Sequence, residues 1–237
     1  MSAYPVTMCG RYALNATAGE LIEHFRLIAC PEWNARYNIA PQSSIPIIRL
    51  KPGAGRVGQM VRWGLIPSWA KDPGIGNKLN NARSETVADK PAFRSSFRRH
   101  RCLIPANGFY EWQAVPVEGK VRKQPWFIHP VDPGDLFAFA GLLSAWNAPA
   151  GDTVVSTCIL TTGPNALMAA IHDRMPVILR PDHFDSWLDP DNQDIDGLRG
   201  MLRPCDPAQM AAHPVSPAIN RGTVEGAECI TPFEGVS

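Results

Sequence analysis

The residues with the most distinctive chemistry stand near the start of the chain, in Met8-Cys9-Gly10-Arg11-Tyr12. If Met8 is the initiator, or if residues 1–8 are a leader that is removed, Cys9 becomes the first residue of the mature protein. A cysteine there carries a free α-amine and a thiol on adjacent carbons, with pKa values of about 7.7–8.0 and about 8.5. Reactive forms of both therefore exist near neutral pH. Together they condense with an aldehyde: the amine forms an imine, and the thiolate adds to the same carbon to close a five-membered thiazolidine. An internal cysteine cannot make that ring. The alternative is an ordinary small apolar residue near a strand start, and the dipeptide alone does not choose.

Other segments offer partners for such chemistry. The loop Lys78-Leu79-Asn80-Asn81-Ala82-Arg83-Ser84-Glu85 is too polar for a core. Asn81 offers a donor and an acceptor to a sugar or base, and Arg83 can clamp a phosphate. The same loop also reads as a capped turn with an Arg83–Glu85 surface pair. Gly108-Phe109-Tyr110-Glu111-Trp112 sets one carboxylate in an aromatic strand. Desolvation there would raise the pKa of Glu111 and suit it to proton transfer, whereas a solvent-facing glutamate would do neither. In His172-Asp173-Arg174, a histidine closing a helix sits in a negative field that favours imidazolium, a general acid or simply a dipole partner. Arg174 shares its face and can hold a phosphate. Trp69, after the rigid Ile66-Pro67-Ser68 turn, is either a wedge for a base stack or a plug in the core. Phe93 to Arg101 mixes guanidinium groups with two Phe rings, which suits nucleic acid or a charged helix anchored by its rings.

The elements that must position these groups are short. Arg11 to Leu14 is expected to be a strand, and Thr17-Ala18-Gly19-Glu20 is a capping box opening a helix that buries Leu21, Ile22 and Phe25. Strands are expected over Ile45–Leu50, Met60–Leu65, Arg101–Pro105, Gly108–Gln113, Gln124–Ile128, Phe137–Trp146, Thr153–Thr161 and Met175–Leu179. Helices are expected from Gly163-Pro164 to His172, from Pro181 to Trp187, and from Asp206-Pro207 to His213. Many short strands with few helices and no βαβ alternation indicate an α+β fold, mainly antiparallel, with a barrel-like β-sheet core and peripheral helices.

The bulk numbers restrict the partners. The net charge is +1, yet Lys71 to Arg101 holds eight Lys/Arg against three Asp/Glu. A positive field confined to one stretch favours a polyanion. The six cysteines show no C-x-x-C and no metal-ligand spacing, so neither metal nor other cofactor is expected. Met1 to Thr7 is no signal peptide, and the most apolar run, Leu136 to Trp146, is too short to span a membrane. A reducing cytoplasm and a monomer are the expectations.

Taken in order, Cys9-Gly10-Arg11, Tyr37-Asn38-Ile39-Ala40-Pro41, Trp63-Gly64-Leu65-Ile66-Pro67, Asn81-Ala82-Arg83-Ser84-Glu85-Thr86, Arg101-Cys102-Leu103-Ile104-Pro105, Phe109-Tyr110-Glu111-Trp112 and His172-Asp173-Arg174-Met175-Pro176 resemble the SRAP family, the SOS-response-associated peptidases. Members of that family shield abasic sites in single-stranded DNA. The resemblance runs from Cys9 to about Asn220 and implies one SRAP domain over 9–237, with residues 1–8 absent from the mature chain. It implies that Cys9 captures the aldehyde of a ring-opened abasic sugar as a thiazolidine, and that the protein joins single-stranded DNA at the nucleoid when DNA is damaged. Glu111 would manage protons during imine formation, His172 would assist opening of the sugar ring, and Asn81 would hold the sugar. Arg11, Arg83 and Arg174 would grip flanking phosphates. Trp69 and Trp112 would stack on neighbouring bases, and Asn38 belongs to the same DNA-binding set. One departure stands out: in the family the reactive cysteine directly follows the initiator methionine. A lyase side reaction is compatible with the imine. Two rival readings use the same residues, a cysteine peptidase with Cys9 and His172 as nucleophile and base, and a non-covalent single-strand binder.

Overall fold

The computed structural model describes residues 10–117, 119–132, 134–149 and 151–234. Cys9 lies outside the described residues. Along the chain run β1 (Tyr12–Leu14), α1 (Ala18–Phe25), β2 (Leu27–Ala29), β3 (Arg36–Ile39), β4 (Ser44–Lys51), β5 (Gly55–Trp63), β6 (Asn81–Arg83) and α2 (Arg94–Arg99). There follow β7 (Arg101–Ala106), β8 (Gly108–Val117), β9 (Lys120–Pro130), β10 (Phe137–Asn147), β11 (Thr153–Thr162), β12 (Met175–Pro176), α3 (Phe184–Leu188), α4 (Ile195–Gly200) and β13 (Met210–Pro214).

Strands β11, β10, β7, β4 and β5 pair in that order, and β5 returns to β11 through a parallel contact at Ser156↔Arg62 and Thr157↔Trp63. The result is a closed five-stranded barrel, otherwise antiparallel, in keeping with the mainly antiparallel, barrel-like core that the strand pattern predicts. Closure leaves its backbone groups paired within the ring. Its strands are buried on both sides where the second sheet covers them: nearly every residue of β10 is inaccessible. That sheet, in the order β13-β9-β8-β1-β3, lays Phe109 of β8 against Phe137 and Phe139 of β10, with ring centroids 6.3 and 6.0 Å apart. Its outer face forms a separate cluster of Ala13, Tyr110, Trp112, Phe127, Val215, Ile219 and Cys229.

The Thr17 capping box forms, but Ile22 is 40 % exposed while Leu21 and Phe25 are buried. An eight-residue helix turns a narrow stripe inward, and Ile22 falls beside it. Two expected helices do not form. Between Gly163 and His172 only Met168–Ala170 coils, as a single 3₁₀ turn. The Asn165 side chain accepts from Met168 N at 2.9 Å and donates to Cys205 O at 2.9 Å, tying the segment into a tight turn. After Asp206, a 3₁₀ turn over Pro207–Gln209 gives way to β13, which pairs with β9 from Met210↔Pro130 to Pro214↔Trp126. There the open edge of β9 overrides local helix preference.

Candidate active site

The site lies where the turn that follows β11 meets β8. On the barrel side, β6 pairs in parallel with β11 (Ile159↔Asn81, Thr161↔Arg83), and β12 pairs on its other edge (Thr161↔Pro176). Asn81, Arg83 and the segment 172–174 are thereby gathered around Thr161. Arg83 is exposed. Arg174 donates from Nη2 to Thr161 O at 2.7 Å and Oγ1 at 3.2 Å, and pairs with the Glu85 carboxylate at 3.0 Å. Glu85 therefore serves Arg174, not Arg83 as in the alternative reading of the loop, and the Arg174 guanidinium holds its carboxyl below the usual range.

Across from these stands β8. Its register with β1 (Tyr12↔Phe109), together with the hydrogen bond from Tyr110 N to Arg11 O at 3.0 Å, brings the chain into β1 alongside Glu111. Glu111 is fully buried, and its Oε2 lies 3.8 Å from Nε2 of His172. The Arg174 backbone N–H donates to His172 Nδ1 at 3.1 Å. A backbone N–H can only donate, so it occupies the Nδ1 lone pair and the neutral ring carries its proton on Nε2, toward Glu111. Asp173 Oδ1, 3.0 Å from the same Nδ1, favours the opposite arrangement. Its carboxylate is 85 % exposed, and water weakens its claim. The expected helix dipole at His172 is absent; a turn held by specific hydrogen bonds positions the ring instead.

Gln113 holds that turn, and sequence reasoning missed it. Two residues beyond Glu111 on the same face of β8, it donates to Ala170 O at 2.7 Å and accepts from Trp126 Nε1 at 3.0 Å. Trp126 stands directly opposite Glu111 on β9. Gln113 thus clamps the 170–172 turn to the strand that carries the carboxylate. No local pattern could reveal this, because the acceptor lies 57 positions away.

Two expected DNA contacts are corrected. Asn38 is 2 % exposed; its Nδ2 donates to the carbonyls of Ile219, Arg221 and Val224, and its Oδ1 accepts from Arg11. It is a buried strut that fixes Arg11, whose guanidinium also reaches Ile219 O at 3.0 Å. Burial lowers the Arg11 pKa. Trp112 is 7 % exposed and donates to Asn220 Oδ1 at 2.7 Å, so its ring walls the outer cluster and opens no face for a base.

Trp69 is 59 % exposed on a braced ledge. Trp146 donates to Ala70 O at 2.7 Å, Ile66 N to Ser156 Oγ at 2.8 Å, and Gly64 N to Thr157 O at 2.8 Å. Gly64, at φ 122°, lets the ledge close on itself: a Cβ there would sit 2.7 Å from Gly76 O. The basic segment of Phe93 to Arg101 resolves differently. Phe93 and Phe97 are core residues, and the buried Arg101 donates to the carbonyls of Trp187, Phe97, Arg98, Asp189 and Asn192. Its rings are unavailable for stacking; Arg94, Arg98 and Arg99 remain exposed.

The five described cysteines are free. Burial raises the thiol pKa of Cys30, Cys158 and Cys229, takes Cys102 to about 12 and Cys205 to about 11. None of these five offers appreciable thiolate near neutral pH. Among the described residues no helix is long and apolar enough to cross a membrane.

Fold and site together define a β-barrel protein with a buried glutamate paired to a partly exposed histidine, flanked by arginines. The chain belongs to the SRAP family, described as SOS response associated peptidase, whose sequence model matches residues 8–222. It is 43 % identical over 216 residues to the abasic site processing protein YoqW of Bacillus subtilis, covering 90 % of this chain and 94 % of that one. It is 32 % identical over 228 residues to the abasic site processing protein HMCES of Xenopus tropicalis, covering 84 % of this chain and 66 % of that one. A solved structure from Bacteroides thetaiotaomicron superposes with a TM-score of 0.85 at 23 % identity, over 95 % of this chain and 100 % of the other. That likeness establishes the fold.

Proposed function

We propose that this protein captures abasic sites in single-stranded DNA covalently, through a thiazolidine formed by the α-amine and thiol of Cys9. The observation that carries the proposal is the Glu111–His172 pair at 3.8 Å, set beside the entry of the chain into β1 three residues after Cys9. The relatives named abasic site processing proteins support the same substrate, and the raised thiol pKa values elsewhere leave Cys9 as the candidate nucleophile.

In this reaction the abasic sugar first opens. Glu111 takes the proton of the C1′ hydroxyl while the Nε2–H of His172 donates to the ring oxygen and is replaced from solvent, which leaves the aldehyde. The Cys9 amine adds to C1′ to give a carbinolamine. A proton delivered by Glu111 lets its hydroxyl leave as water, and an imine remains. The thiolate then adds to C1′, the C=N electron pair moves to nitrogen, and nitrogen takes a proton. Amine, thiol and aldehyde thus become a thiazolidine plus one water. Asn81 holds the sugar; Arg11, Arg83 and Arg174 take flanking phosphates; and Trp69 stacks on or wedges a neighbouring base. The trapped aldehyde can no longer drive strand-breaking elimination. The free amine requires initiation at Met8 or removal of residues 1–8.

The test is a denaturing gel of protein mixed with single-stranded DNA carrying one abasic site. A denaturation-resistant adduct is expected, abolished by Cys9→Ala and by a retained leader, and slowed by Glu111→Gln. An undiminished adduct from the Cys9→Ala protein refutes the proposal. Turnover of a separate peptide substrate would favour the peptidase reading, and equal, purely non-covalent binding of abasic and intact DNA would favour a simple single-strand binder.

A further inference from the structure

The long β8–β9 hairpin runs past the site and carries a row of cations that the chemistry at Glu111 does not use. The register Glu111↔Trp126, Gln113↔Gln124, Val115↔Arg122, Val117↔Lys120 fixes which residues share a face. Side chains alternate along a strand, and directly paired residues lie on the same side. Arg122 and Lys120 therefore extend the face that bears Glu111 and Gln113, whereas Lys123 faces the other way. Lys120, Arg122 and Lys123 are all exposed. Among the described residues none of the three forms an ion pair. The only acid of segment 114–124 is Glu118, outside the described residues.

Spacing identifies the partner. At ~3.4 Å per residue, Arg122 stands about 14 Å along the hairpin from Glu111 and Lys120 about 20 Å. Two residues of strand advance about 7 Å, close to the separation of neighbouring phosphates on an extended polynucleotide. The row is single, suited to one backbone rather than the two of a duplex. It presents no aromatic ring, so it takes phosphates and not bases.

We propose that Arg122 and Lys120 form a binding surface for the phosphates of the same single strand, a few nucleotides from the residue held at Glu111. This rests on the reading of the site as one for single-stranded DNA. It adds an arm that makes affinity depend on flank length.

The experiment measures fluorescence anisotropy on intact single-stranded oligonucleotides, one trimmed to a flank of about two nucleotides on each side of the centre and one with about ten. The wild type is expected to bind the longer strand more tightly. The K120Q/R122Q protein is expected to bind both alike. With ~0.7 counterions released per single-strand phosphate, raising salt from 50 to 200 mM weakens wild-type binding to the longer strand about sevenfold more than variant binding. Lys123→Gln, on the opposite face, leaves the length ratio intact. Charge reversal at the same two positions, K120E/R122E, must lower affinity for the longer strand further. An unchanged length ratio in K120Q/R122Q overturns the proposal. So does a loss seen only when the flank is base-paired, which would mark a duplex surface. Adduct formation on the trimmed abasic strand depends on the site alone, so its absence in the wild type would count against the site reading and not against the arm.

Discussion

Replacing Gln113 by glutamate removes one donor and sets a negative charge against the Ala170 carbonyl, so the loss worked from the hydrogen bond alone is a lower limit. The carboxylate can still accept from Trp126 Nε1, the bond that measures 3.0 Å, but it cannot donate to Ala170 O, now held at 2.7 Å. The lost hydrogen bond is worth about 1–1.5 kcal/mol net. If that energy holds the 170–172 turn against β8, His172 spends correspondingly less time facing Glu111. At 1.36 kcal/mol per decade, the rate of adduct formation falls about 5- to 12-fold. Gln113→Ala should show at least the same loss. The assay is a single-turnover time course on abasic single-stranded DNA at saturating protein, read on denaturing gels, with affinity for intact DNA measured in parallel. A lower rate with unchanged affinity is expected, because Gln113 positions a proton-transfer group and is assigned no phosphate. Undiminished rates in both variants, with the loss of thermal stability showing that the bond was broken, would show that Gln113 does not position His172.

Removing the competing carboxylate by Glu85→Gln should free Arg174 for phosphate and tighten binding of single-stranded DNA several-fold in anisotropy titrations; unchanged or weaker binding would show that Glu85 instead holds Arg174 in place. The folded-state pKa of Glu85 is depressed, so the pair contributes above the ordinary carboxylate value of about 4.3 and loses that contribution as pH falls through the lower folded value. Glu85 is half exposed, so the pair is worth under about 1 kcal/mol. A wild-type advantage in Tm over Glu85→Gln, present at pH 6 to 7 and vanishing below about pH 4, would match this sign. Asn38→Ala removes four side-chain hydrogen bonds from a buried position, one from Arg11 and three to the carbonyls of Ile219, Arg221 and Val224, so stability should drop by about 2–4 kcal/mol and Tm by roughly 5–10 °C; a change below about 0.5 kcal/mol in urea melts would contradict the strut. Trp69→Ala should leave Tm essentially unchanged and weaken DNA binding by about 1–3 kcal/mol, or about 5- to 150-fold, whereas a large stability loss would recast Trp69 as a structural plug.

Much of the scaffold was legible because its signals are local. The strands from β7 to β11 follow apolar runs punctuated by Gly, Pro and Asn, and α1 follows a capping box. The parallel closure between β5 and β11 was not legible, since nothing local distinguishes a barrel's seam from an open edge. His172 drew attention for a helix end that does not exist; its distinction comes from Glu111, far away in sequence. Asn38 and Trp112 look like open contacts in the sequence because polar and aromatic residues in a motif suggest a ligand. Their burial is imposed by the segment from Val215 to Cys229, packed on the outer sheet. The basic run ending at Arg101 misled in the same way, because a guanidinium that saturates five carbonyls looks no different in sequence from one that grips a phosphate.

Intact mass spectrometry of the purified protein–DNA adduct reads the thiazolidine at Cys9 itself. The expected mass is that of the chain beginning at Cys9 plus the abasic strand, less one water, with fragmentation placing the DNA on the amine and thiol of Cys9. An adduct that retains residues 1–8, or one joined through any other residue, would contradict it.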